Sequence, residues 1–255
     1  MKYLYDLFLA AVYFALNYLT FALVKKVCYH TALHRVLKKY LDVNPHLAFL
    51  VWYFLSFALL YLVFRLTGRD LLAYVRFNAL TGAHTPWLLL LIGVCGFLVN
   101  ESFTNLSVIY ERYPKFRDFL TFNYEQSTPV VGIAASVLIG PAYEEILFRG
   151  AIFNQLREGM PLVAAAVVQA VLYGLLFFDL PMGIFCFAAA MLYTVVYVRV
   201  DSLWAVVLIQ VVETSLVLFS RRTRLEAWFR RLGDARLSIL LAAGIAGAAW
   251  CVLAL

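Results

Sequence analysis

The length and continuity of the apolar runs constrain this chain more than any other feature. Runs lie at about residues 3–24, 46–65, 87–106, 129–149, 162–180, 182–199, 203–219 and 237–255. Each comes near the roughly 20 residues a helix needs to cross the hydrocarbon of a bilayer. Across the 255 residues, 64% are hydrophobic and 14% charged, against about 25% charged in soluble domains. A soluble fold has no way to hide that much apolar surface, whereas lipid is itself an apolar solvent. A membrane barrel would show alternating polar and apolar residues in roughly ten-residue strands, and these runs do not alternate. The expected fold is therefore all-α, a polytopic transmembrane bundle of about eight helices. No repeat or low-complexity linker divides the chain, so residues 1–255 read as one integral membrane domain. Residues 1–24 are too long an apolar stretch for a signal peptide, and Lys25 and Lys26 close them as they would a retained helix.

The net charge of +6 does not point to nucleic acid. Most of the 21 basic residues fall in three loops, 25–45, 107–128 and 220–236, where positive charge sets membrane orientation. With eight spans these loops share one side, which the positive-inside rule makes cytoplasmic. Arg221, Arg222, Arg224, Arg230 and Arg231, interleaved with Leu225, Trp228, Phe229 and Leu232, read either as an interfacial amphipathic helix on anionic lipid or as an orientation signal only. Cys28, Cys95, Cys186 and Cys251 are widely spaced inside apolar runs and read as small core residues. The partners expected are the lipid bilayer and no nucleic acid.

Ionisable groups inside a bilayer are costly and persist where protein or a wet cavity surrounds them. Here they are Asp6, Glu101, Glu144, Glu145, Arg149 and Glu213, with polar Asn100, Gln169, Gln210 and Thr214. The densest cluster is Pro141-Ala142-Tyr143-Glu144-Glu145-Ile146-Leu147-Phe148-Arg149-Gly150. Glu145 and Arg149 are i and i+4 on a helix and can pair, while Glu144 points about 100° away. Glu144 is then either an unpaired carboxyl of the kind that serves as a general base, or part of an ordinary salt-bridged helix end. Gln210, Glu213 and Thr214 share one helix face, and Gln169, Tyr173 and Phe177 another. Those faces form either a buried hydrogen-bond network or the lining of a cavity, and Asn100 and Glu101 either join it or pair with Arg149. A helix beginning at residue 129 puts Glu144 about 22 Å along its axis. Either that helix protrudes from the bilayer by several turns, or the span count is off by one.

The Glu144-Glu145-x-x-x-Arg149 segment resembles the first motif of the CPBP family, which includes CAAX prenyl proteases of the Rce1 type, bacteriocin-processing and self-immunity proteins, and Abi proteins. The resemblance covers about residues 87–219 and implies about eight helices, with this motif on the fourth. It implies that Glu144 activates water, with Glu145 and Arg149 as its companions. The family's second motif, F-x-x-x-H, corresponds to Tyr173-Gly174-Leu175-Leu176-Phe177, with phenylalanine in place of the histidine. Its third, H-x-x-x-N or H-x-x-x-D, corresponds to Gln210-Val211-Val212-Glu213-Thr214 after Ser202-Leu203-Trp204, with glutamine and threonine substituted. His30, His34, His46 and His84 all precede the motif region. Glutamine can donate a hydrogen bond but does not titrate, and losing a general acid–base partner costs about 10²–10⁴ in rate. With no His or Cys beside the carboxylates, neither zinc nor another cofactor is expected.

Two readings lead. One is a catalytically impaired or inactive relative that binds a membrane peptide or protein partner. The other is a divergent intramembrane endopeptidase using Glu144. A transporter or channel is a third, since intramembrane carboxylates also mark ion paths, although no inverted repeat is visible. The membrane expected is the cytoplasmic membrane of a prokaryote.

Overall fold

The computed structural model describes residues 2–176 and 179–255. Among them it is all-helical, with seven helices long and apolar enough to cross a membrane and one shorter apolar helix. In chain order the eight are α1 (Lys2–His30), α2 (His46–Leu66), α3 (Thr85–Asn105), α4 (Pro129–Gly159), α5 (Leu162–Leu175), α6 (Leu180–Val200), α7 (Leu203–Arg222) and α8 (Asp234–Ala254). Short helices at Leu33–Leu41, Leu71–Tyr74, Ser107–Arg112, Pro114–Glu125 and Leu225–Arg230 occupy the connections.

Three spans differ from the sequence expectation. α1 runs through Lys25 and Lys26 to His30, so those lysines do not close it. α4 continues ten residues beyond Arg149 and is 31 residues long. Arg149 closes the apolar run 129–149 in the sequence, but it is fully buried by protein, and the helix runs on past it. The extra length places Glu144 midway along α4, so the helix does overrun a single bilayer thickness. α5 has 14 residues, about 21 Å of helix, which is short of the roughly 30 Å hydrocarbon core. α6 then starts at Leu180, where Asp179 accepts a hydrogen bond from the Met182 N–H at 3.2 Å and Pro181 sits in the first turn. Proline is tolerated there because its missing N–H has no helical partner to lose.

α4 is the central helix. Leu147, Phe148, Arg149, Gly150, Ala151, Ile152, Phe153, Asn154, Gln155 and Leu156 are all buried, as befits a helix enclosed on every side. α1 packs on α2 and on the end of α4, α3 on α7 and α8, and α5 on α6. Gly174 and Gly183 let α5 and α6 touch through their backbones: a Cβ on Gly174 would lie 2.7 Å from the Gly183 carbonyl oxygen. Close approach over small residues is a common membrane-helix contact. At the far end of α4, Gln155 donates to Asp6 at 2.7 Å and accepts from Arg69 at 2.9 Å. Asp6 is thus part of the lock between α1 and α4.

Two arginines of the basic run 221–231, Arg221 and Arg222, are held by protein, while Arg224, Arg230 and Arg231 are exposed. The run contains the helix Leu225–Arg230, of only six residues. Arg221 bonds Glu226 at 2.9 Å, and Arg222 donates to the carbonyls of Tyr124 and Ser127 at 3.0 and 2.9 Å. Arg117 and Arg230 both hydrogen-bond Tyr110 and hold its phenol below the usual range.

Candidate functional site

Around the acidic motif α4 is not a uniform α-helix. Ile133–Ile139 and Ile146–Phe153 run in wider π turns, and the α-helical Gly140–Glu145 lies between them. Such departures in a helix are frequent at functional sites. The two adjacent carboxyls face different surroundings. Glu144 is half-buried and lines a cavity of about 140 Å³, where it accepts a hydrogen bond from the Tyr173 hydroxyl at 2.8 Å. Glu145 is fully buried behind it and accepts from Arg149 at 3.0 Å and from the Gln210 amide at 2.5 Å.

Arg149 has no exposed surface. Its Cζ lies 5.0 Å from the ring centre of Tyr173 and 5.3 Å from that of Tyr193, so two aromatic faces enclose the guanidinium. In a dry site each such contact is worth up to about 2 kcal/mol. The same two tyrosines reach past it to carboxyls: Tyr173 to Glu144, and Tyr193 to Glu213 at 2.5 Å. Two Tyr–Glu pairs thus flank one arginine. Asn100 also bonds Glu213, and Gly96 makes room for it, since a Cβ there would come within 2.7 Å of Glu213 Oε2.

Of the residues singled out in the sequence, Glu144, Tyr173, Gln210, Glu213 and Thr214 line the cavity together. Glu145 and Arg149 stand directly behind it. Gln169 is buried outside the lining and accepts from Thr194 at 2.9 Å. Asn100 touches Glu213 without reaching the cavity. Glu101 neither lines the cavity nor pairs with Arg149; it is fully buried beside Asn105, whose amide donates to it at 3.2 Å, and it faces Arg221 and Ser220. The reason is helical geometry: one step along α3 turns the side chain by about 100°, away from α4 and toward the end of α7. Phe177, at the second histidine position, lies outside the described residues.

The lining includes several residues that pattern reading passed over. Phe185, Cys186, Ala189 and Tyr193 come from α6, and their i, i+1, i+4, i+8 stripe is the signal that was available. Phe119, Asn123 and Tyr124 come from the helix Pro114–Glu125. That helix is too polar to register as a span, and nothing in its sequence says that it covers a cavity.

Residues 126–215 match the family model for the type II CAAX prenyl endopeptidase Rce1-like group. No curated protein and no solved structure matches the chain. The matched segment runs from just before α4 through most of α7 and carries Glu144, Glu145, Arg149, Tyr173 and Gln210. Over residues 126–215 this integral membrane protein is similar to the Rce1-like endopeptidase family, in agreement with the resemblance carried by the Glu144-Glu145-x-x-x-Arg149 motif.

Proposed function

We propose that the protein is an Rce1-like membrane protein that binds a membrane peptide or protein partner at the Glu144 cavity and cleaves it poorly or not at all. One observation carries the reading: among the described residues the cavity lining holds no histidine, and Gln210, at the third-motif histidine position, has its amide committed to Glu145. Hydrolysis of an amide needs a group to take a proton from water and a group to give one to the leaving nitrogen. Glu144 can do the first. The nearby Tyr173 and Tyr193 hydroxyls are held on carboxyls. The chain's resemblance to a family that includes bacteriocin-processing and self-immunity proteins supports, in this proposal, a prokaryotic cytoplasmic membrane.

The active-peptidase reading keeps one specific support, the cavity-facing Glu144 with its single hydrogen bond from Tyr173. The deciding assay incubates the purified chain, in neutral detergent, with a mixture of fluorogenic membrane peptides beside a Glu144→Gln variant. The expected result is the same background product from both. Product from the native chain that vanishes with Glu144→Gln would establish cleavage and remove the binding-only reading.

A further inference from the structure

The cavity is unbalanced in charge. Glu144 and Glu213 both line it, and none of its described lining residues is lysine, arginine or histidine. The nearest guanidinium, Arg149, is already paired with Glu145 behind the wall. Several lining donors are spent on the protein itself. Tyr173 and Tyr193 donate to the two carboxyls, Ser136 to the Asn123 carbonyl at 2.9 Å, and Thr214 to the Gln210 carbonyl at 2.7 Å.

Gln210 supplies an independent indication. It is only 6% exposed and lines the cavity. Its Nε2 donates to Glu145 at 2.5 Å, which fixes the amide orientation and leaves Oε1 as an acceptor with no donor among the described residues. The cavity is therefore lined by acceptors from three side chains on two helices. Gly96 keeps the space that Glu213 needs.

We propose that this cavity binds a primary ammonium group presented by the partner, the chemistry shared by a lysine side chain and a free N-terminus. An ammonium carries three donors and no acceptor, which complements Glu144, Glu213 and Gln210 Oε1. A volume of about 140 Å³ holds such a head and a short alkyl stem, at about 30 Å³ per displaced water. Entry of the cation also offsets the cost of ionising carboxyls in a dry site.

This inference rests on reading the site as a binding cavity. Its test uses Cys186, which lines the same space, in the full-length protein in neutral detergent. The probes are 2-aminoethyl and 2-sulfonatoethyl methanethiosulfonate, with modification of Cys186 followed by peptide mapping and each rate normalised to that of a free thiol. The ammonium reagent is expected to label at least about tenfold faster, a modest share of what opposite charges about 5 Å apart in protein provide. Replacing both acids (Glu144→Gln with Glu213→Gln) is expected to bring the two rates level. A native ratio below tenfold overturns the proposal without needing any variant to fold. A ratio unchanged in the double variant overturns it, as does a Cys186 that neither reagent reaches. Peptide cleavage would withdraw the binding-only reading and leave this ratio standing. Equal labelling would remove the ammonium site without making the chain a peptidase.

Discussion

Replacing Arg149 with methionine is expected to destabilise the protein by about 3–5 kcal/mol, because it strands a carboxyl where neither water nor a cation can reach it. Glu145 and Arg149 are both fully buried, 3.0 Å apart. Thermal or chemical unfolding of the purified variant in mild detergent measures the loss. Substituting both partners (Glu145→Leu with Arg149→Met) is expected to recover much of it, since apolar replacement of a whole buried pair is often neutral. Recovery stays incomplete because the Gln210 amide loses its acceptor, a cost of about 1–3 kcal/mol. A loss below about 1 kcal/mol in the single variant would mean that water reaches the pair and that the site is far wetter than described.

Restoring histidine at both motif positions, by Phe177→His with Gln210→His, is expected to raise Glu144-dependent peptide hydrolysis by about 10²–10⁴, the usual contribution of positioned acid–base groups. A histidine ring N–H at position 210 is of the kind that can replace the Gln210 amide as a donor to Glu145 Oε1. The assay compares product from this variant with product when Glu144→Gln is added to it, after both elute as the native protein does. A well-folded double-histidine variant with no gain would mean that something other than the missing histidines holds the site silent.

The helical, membrane-spanning character was legible because a bilayer demands long apolar segments, and the sequence supplies them. The end of α4 was not. The apolar run 129–149 stops at Arg149, and only the enclosing Glu145, Tyr173 and Tyr193 explain how the helix carries that charge inside and continues. The length of α5 was also hidden, since the apolar run 162–180 continues past the last helical residue, Leu175. In the site, the different directions of Glu144 and Glu145 followed from one helical step of about 100°. The partners of the acids were harder to read. Gln210 looked like a lost histidine, yet it is also the clamp on Glu145. Tyr193 and Asn123 reach the cavity only through the packing of α6 against α5 and α7 and of the helix Pro114–Glu125 against α7, which spacing along one helix does not report. The basic run 221–231 left a lipid-facing helix and a bare orientation signal equally open, and spacing did not show that Arg221 is drawn to the Glu226 carboxyl and Arg222 to the carbonyls of Tyr124 and Ser127.

What matters most in this account is the division of labour between two neighbouring acids, one open to a cavity and one sealed in an ion pair. Treating the native protein in detergent with dicyclohexylcarbodiimide, and sequencing the modified peptide by mass spectrometry, measures that division directly. The account predicts an adduct on Glu144 and none on Glu145. Modification of Glu145 as fast as Glu144 would contradict it.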